Sequence, residues 1–336
     1  MNRATWLVVM AAAFAAFSVS ANAASGDATR DALTKRAQAG DTQAQVALGR
    51  SLQDDGVAAD KAIGTEWYRK AAMAGSAEGA WMLGSATMAG VGVTRDVPAG
   101  IDWMRKSVGI DQNADHMAVL AVALLSTGGA QEALQWAQKA ADKGSSKGME
   151  VLAMARLSGE MGLPKDTALA EKWMTAAAQK GDADAQLSLG QLYITGLLGK
   201  QDVAAGVHWL QAAADGGSAK AAGTLAYFLI TGKQGVPVDA PRGVALARKS
   251  MASNEMLGHY AMGVAMVTGS GVAENPAEGW YQISLAQRMD NQQQLKSAGD
   301  YLAKAAAKLS PTQMAQLKAR VDADAAANTA AAASGS

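Results

Sequence analysis

Three histidines, at positions 116, 208 and 259, are the only imidazoles in this 336-residue chain, so acid–base or metal chemistry would have to be built from them and from carboxylates. They lie far apart in sequence. His116 and His259 hold similar places in the repeat described below, yet four units separate them, which argues against a shared metal. There is no cysteine, and hence no thiolate site and no disulfide. Two aspartate pairs, Asp182/Asp184 and Asp322/Asp324, have plainer explanations. The first starts a helix, where negative charge meets the macrodipole, and the second falls near the end of a C-terminal helix. The stretch GVGV at 90–93 is glycine-rich but connects two helices, unlike a phosphate loop that follows a strand. No Walker loop, no H-E-x-x-H and no S-x-x-K occurs. The expectation is a protein that is not an enzyme and that carries no cofactor.

What such residues sit on is set by a repeat. The tryptophans at 67, 103, 136, 173 and 209 are 36, 33, 37 and 36 residues apart, and the slot continues at Leu246. Eight residues beyond each comes a glycine or a substitute: Gly75, Asp111, Gly144, Gly181, Gly217 and Asn254. Four and eight residues after Gly181 stand Ala185 and Leu189, followed by Gly190, and the same offsets recur from Gly40, Gly75 and Gly217. A self-similar period of this length marks a solenoid. Each unit reads as two antiparallel helices. Helix A follows the boundary glycine and ends in turns such as GVGV (90–93), GKQGV (232–236) and GSGV (269–272), whose glycines supply left-handed backbone. Helix B starts at a capping Asp60, Asp96, Asp166, Asp202 or Asp239, with Asn275 as a substitute. Pro98, Pro241 and Pro276 fit its first turn. The tryptophan two turns into helix B is expected to plug the space between adjacent hairpins.

This pattern resembles the Sel-one-like repeat family, relatives of the tetratricopeptide repeat. The carrying residues are A-x-x-x-L-G in helix A (AQVALG, AQLSLG), the G-x-G-V turn, and D…W-x-x-x-A-A closed by glycine. The resemblance implies an all-α, right-handed α-solenoid of about seven helix-pair repeats over 40–290. The third unit, 112–144, reads as lacking the turn glycines and the capping aspartate. The seventh carries Gln282 in the tryptophan slot, with Trp280 two residues earlier.

The ends differ from the repeats. Residues 1–23 read as a signal peptide, with Arg3, the apolar WLVVMAAAFAAF and the small-x-small ANA before a cleavage near Ala23/Ala24. Residues 24–39 read as a lead-in helix, 291–324 as C-terminal capping helices with Ser310 and Pro311 opening the last, and 325–336 as a disordered tail. Export without an anchor implies a periplasmic or secreted location. Net charge is zero and no basic stripe is present, which disfavours nucleic acid as a ligand.

Binding is what remains. The resemblance implies a concave face lined by helices A, and the residues five and six after each boundary vary in type there. Trp81, His116, Met117, Glu150, Gln186, His259 and Tyr260 are the candidate partner contacts, Trp81 and Tyr260 being the aromatic anchors. The expected partner is a protein of the cell envelope, the expected state a monomer. More specific readings also follow from relatives: an immunity protein neutralising a secreted effector such as a phospholipase, or a peptidoglycan- or exopolysaccharide-related binder. Penicillin-binding or β-lactam-hydrolysing relatives are rich in disulfides, which this cysteine-free chain cannot form.

Overall fold

The computed structural model describes residues 26–54, 57–159, 162–290, 295 and 297–334. The signal-peptide reading at 1–23 lies outside them. Among the described residues the chain is helical, without strands. Its contacts divide it into two compact units, one reaching Leu152 and including 160–163, the other comprising 153–159 and 164–335.

The first unit holds the lead-in helix α1 (Gly26–Gln38), the hairpins α2 (Thr42–Asp54)/α3 (Ala58–Met73), α4 (Ala77–Ala89)/α5 (Val97–Asp111) and α6 (Ala114–Ser126)/α7 (Ala130–Asp142), and the start of α8 (Ser146–Ser158). The second holds the end of α8, then α9 (Thr167–Gln179), and the hairpins α10 (Ala183–Thr195)/α11 (Val203–Asp215), α12 (Ala219–Thr231)/α13 (Ala240–Met251) and α14 (Met256–Thr268)/α15 (Pro276–Met289). Two closing helices, α16 (Ala298–Ala306) and α17 (Pro311–Ser334), pack on α15. From α1 to α7 and from α9 to α16 each helix is a neighbour of the next, as a solenoid of helix pairs requires.

Capping follows the sequence closely. Asp96, Asp166, Asp202, Asp239 and Asn275 each accept from the backbone N–H three residues on, at 2.9–3.2 Å. Asp60 does not cap: α3 starts at Ala58, which leaves Asp60 inside its first turn, paired with Arg30 at 3.2 Å. Helix A has its own caps right after the boundary glycine, with Ser76, Asp182 and Ser218 accepting from the N–H three on. The left-handed residue that ends α5 is Gln112 (φ 52°), one beyond the expected Asp111. The third unit does possess a glycine turn: Gly128 (φ 85°) and Gly129 join α6 to α7 in three residues. The tail expected to be disordered from 325 continues as helix to Ser334, in keeping with the high helix propensity of its alanines.

Two packing features explain the repeat. First, α4 and α5 cross where Gly84 faces Gly100: a Cβ on Gly84 would lie 2.8 Å from the Gly100 carbonyl oxygen, and one on Gly100 2.7 Å from that of Gly84. Gly49/Gly64, Gly190/Gly206 and Gly263/Gly279 repeat this reciprocal contact. Second, the tryptophans are not the plugs. Trp67, Trp103, Trp136, Trp173 and Trp209 are only half-buried. The residue after each of them is sealed: Tyr68, Met104, Ala137, Met174 and Leu210 are all within 1% of full burial. A helix of 3.6 residues per turn rotates 100° per residue, so one step separates the core from its margin. At that margin, Trp67, Trp103 and Trp136 carry the ammonium groups of Lys70, Lys106 and Lys139 at 3.9, 3.9 and 4.2 Å from their ring centroids.

Candidate functional site

The candidate residues fall into two groups, one in each unit. In the first unit, α4 presents Trp81 and α6 presents His116, and the two rings stack at 3.9 Å between centroids and 8° between planes. Asn113 fixes the start of α6 by accepting from the backbone N–H groups of Asp115 and His116. The imidazole Nδ1 lies 3.3 Å from Asp111 Oδ2. Burial nonetheless pushes the His116 pKa below its ordinary value, with Asp111, Asp115 and Glu78 opposing that shift. Arg50 on α2 donates to Glu78 on α4 at 2.5 Å. Both rings stay half-exposed. This is a strip of charge and aromatic surface along the edges of α2, α4 and α6.

Met117 and Glu150 do not join that strip. Met117 is 3% exposed and Glu150 7%, the latter 3.4 Å from Lys147. A helix A is packed by neighbours on more than one side, so little of its circumference remains for a partner, and the position six after the boundary is mostly buried.

A G-x-S-x-G spacing, Gly144–Ser145–Ser146–Lys147–Gly148, occurs in the same unit. Its central serine, Ser146, is the first residue of α8 and follows another helix, not a strand. The neighbouring Ser145 is a cap, its Oγ donating to Asp115 Oδ1 at 2.8 Å and accepting from Gly148 N at 3.4 Å. A nucleophilic serine instead hands its proton to a base, usually an imidazole, on a strand-to-helix turn. Among the described residues no group of three or more His, Cys, Asp or Glu side chains could hold a metal ion.

In the second unit, Tyr260 on α14 is 3% exposed and forms the floor of an aromatic cluster. Tyr227 of α12 stands 5.2 Å from it between ring centroids, and Tyr301 of α16 stands 6.4 Å away, edge-on. Lys233, exposed in the turn after α12, donates to Tyr227 Oη at 2.6 Å and to Ser297 Oγ at 3.2 Å. Its ammonium lies 5.2 and 5.8 Å from the ring centroids of Tyr227 and Tyr301. Burial and the neighbouring phenols push the Tyr260 hydroxyl to a higher pKa, with Ser297 acting in the opposite sense.

His259 turns away from this cluster. It is 9% exposed, with Nδ1 donating to Gln282 Oε1 at 2.7 Å and Nε2 lying 3.3 Å from Asn254 Oδ1. Gln186 on α10 is half-buried and donates to the Ala178 carbonyl at 3.1 Å. The sequence reading missed Tyr227, Lys233, Ser297 and Tyr301, because they occupy unlike places in their repeats and no periodic scan aligns them. Their only common signal is enrichment of tyrosine in the last third of the chain. The two groups offer ring faces, a cation and hydroxyl donors, which suit recognition.

A family model described as "Sel1 repeat" matches residues 42–76, 77–108, 129–145, 146–182, 183–218, 219–253 and 257–281. Within the third repeat the match takes in only α7 and its flanks. No curated protein matches the sequence. Among solved structures, a protective antigen of uropathogenic Escherichia coli displaying an SLR fold is similar, with TM-score 0.66 and 27% identity. The likeness covers 86% of this chain and 62% of that one, so this chain spans less than two thirds of the antigen's length. A Sel1 repeat protein from Oxalobacter formigenes is similar with TM-score 0.53 and 26% identity, over 67% of this chain and 99% of that one.

Proposed function

Since the chain belongs to the Sel1 repeat family, a family of protein-interaction scaffolds, we propose that it is a non-enzymatic scaffold that holds a partner protein along the edges of its helices A. The observation that carries this reading is the Trp81–His116 stack. Two half-exposed rings from successive repeats lie parallel at 3.9 Å, flanked by Arg50 and Glu78. Aromatic and arginine side chains supply much of the energy of protein interfaces. A strip whose charges and rings are already held in place loses little freedom on binding. The proposed setting is the periplasm, supported by the leader-like pattern at 1–23. Among the described residues no helix is long and apolar enough to cross a membrane.

The test is affinity capture from envelope extract, with the chain beginning at Ala24 as bait and Trp81→Ala/His116→Ala as the control bait. A protein retained by the first and lost from the second, at unchanged thermal stability, is the expected result. Equal retention by both baits would sink the assignment of the strip. Alkaline-phosphatase activity of a fusion after residue 40 would report export, and an inactive fusion would refute it.

A further inference from the structure

We propose that the cluster of Tyr227, Tyr260, Tyr301, Lys233 and Ser297 is a seat for a single carboxylate of the partner protein, carried by an acidic side chain with apolar neighbours. This rests on the scaffold reading above and gives it a chemistry.

The cation is presented by a stiff turn. Gly232 (φ 66°), Gln234 (φ 57°) and Gly235 (φ 75°) are all left-handed, and Gln201 Nε2 pins the turn by donating to the Gln234 carbonyl at 2.6 Å and to that of Ile194 at 2.7 Å. Val236, 2% exposed, anchors its far side. The turn therefore presents Lys233 over the cluster, with its side chain exposed to a partner. Among the described residues it makes no ion pair. Asp300 is near enough to favour its charged form but does not contact it.

The resting arrangement leaves one buried donor short. Tyr260 Oη is buried and lacks a geometrically complete hydrogen bond, although the Ser297 and Tyr227 hydroxyls lie near enough to shift its ionisation. Those two hydroxyls are the ones now accepting from Lys233. A carboxylate that draws the ammonium outward would free the lone pair that each hydroxyl now gives to Lys233, making it available to the Tyr260 hydrogen. Buried polar groups are normally satisfied, so an arrangement relieved by an anion is a site prepared for one. The size of the anion follows from the donors. One ammonium with neutral hydroxyls matches a monoanion, whereas a phosphate dianion is better met by guanidinium forks or several cations. The half-buried rings of Tyr227 and Tyr301 line the approach, which favours apolar residues beside the acidic one.

The experiment titrates the chain from Ala24 with the blocked peptide acetyl-Phe-Glu-Phe-amide and with its glutamine counterpart, following tyrosine ring resonances by NMR. The glutamate peptide is expected to bind saturably and about tenfold more tightly, as one charge-assisted contact would give. Lys233→Gln, at an exposed turn position, should erase that preference without loss of thermal stability. Tyr260→Phe should weaken the glutamate peptide a few-fold while leaving stability unchanged or raised. Equal binding of the two peptides, a preference that survives Lys233→Gln, or displacement of the peptide by inorganic phosphate at lower concentration than the peptide itself needs, would each overturn the proposal. A destabilised Tyr260→Phe would also count against it, since the hydroxyl would then be satisfied at rest. The parent reading is judged separately: a partner captured equally by wild type and Lys233→Gln refutes this seat and leaves the scaffold standing.

Discussion

Gly100 and Gly109 lie on the same helix, α5, and the same substitution should move stability in opposite directions at the two. At Gly109 an added methyl meets nothing within 4 Å, and the backbone is already helical. Alanine there should stabilise by about 0.5–1 kcal/mol, by reducing unfolded-state freedom and raising helix propensity. At Gly100 the same methyl would stand 2.2 Å from Met88 Cγ, 2.7 Å from the Gly84 carbonyl oxygen and 3.0 Å from Met88 N. Met88 Cγ can swing aside by a change of rotamer, but the two backbone atoms move only if α4 and α5 separate. Restoring an ordinary contact at the carbonyl alone needs an opening of about 0.7 Å, which loosens every layer of a close-packed crossing. Overpacking of this kind costs about 1–3 kcal/mol, against roughly 1 kcal/mol gained in propensity, and with two backbone atoms in the way the upper part of that range applies, so Gly100→Ala should destabilise by up to about 2 kcal/mol net. Urea denaturation followed by far-UV circular dichroism compares the two variants, and hydrogen exchange localises the loss to the α4/α5 amides. Repeats unfold in parts, so the exchange data carry the decision if the urea transition is not single. Stabilisation by both variants would refute the claim that glycine-to-glycine backbone contact sets the hairpin spacing.

Met104→Ala should cost about 2–5 kcal/mol and Trp103→Ala clearly less, in the same denaturation assay, because the first side chain is sealed and the second is half-exposed. Asp202→Ala should cost about 1 kcal/mol as a lost cap, whereas Asp60→Ala should cost less and lose its effect in high salt, as a partly exposed ion pair does. His116 has a depressed pKa in the fold, so its contribution to stability is full above its unfolded value near 6.5 and is lost as pH falls through the folded value. Wild type should therefore lose more stability than His116→Gln between pH 7 and 5, read as the shift in urea midpoint, and parallel curves would contradict the sign.

How much of this could be read from residues alone depends on the range of each interaction. Caps and left-handed glycines act within one turn, so Asp96, Asp166, Asp202, Asp239 and Asn275 were legible, as were Gly90, Gly232 and Gly269. Asp60 has the spacing of a cap, yet its helix begins two residues before it, and only the fold shows that. The tryptophan spacing located the repeat correctly but not which side chain is sealed, because adjacent residues on a helix differ by 100° and a period cannot tell them apart. Gly64, Gly100, Gly206, Gly243 and Gly279 each stand four after the Asp or Asn of their unit, a regularity present in the sequence. Its meaning as a contact with the glycine, or alanine, of helix A needs the crossing itself. The tyrosine cluster was hidden for the opposite reason. Tyr260 was singled out as an anchor, but the structure makes it a floor, and the neighbours that give it chemistry come from a turn and a closing helix outside the repeat.

The seventh unit shows why a departure from the repeat can be as ordered as the repeat. Its tryptophan slot holds Gln282, and the neighbouring helix A supplies His259 at a position occupied in other units by alanine, histidine, methionine or glutamine. The two side chains are buried together at 2.7 Å, and Gln282 Nε2 donates onward to Glu278, which accepts from Arg320 of α17 at 2.8 Å. Arg320 also lies 3.5 Å from the Tyr281 ring centroid, while Tyr281 Oη donates to Asp324 at 2.6 Å. An indole in that slot could pack against apolar surface but could not relay hydrogen bonds from a buried imidazole to a charged outer helix. Around this polar line, Leu317 and Val321 meet Tyr281 and Leu285 in a small apolar cluster. Beside these apolar contacts, α17 also brings Arg320 and Asp324 to α15. The exchange of tryptophan for glutamine thus ties helix A of the seventh unit, through a line of hydrogen bonds, to a closing helix that brings charged as well as apolar side chains.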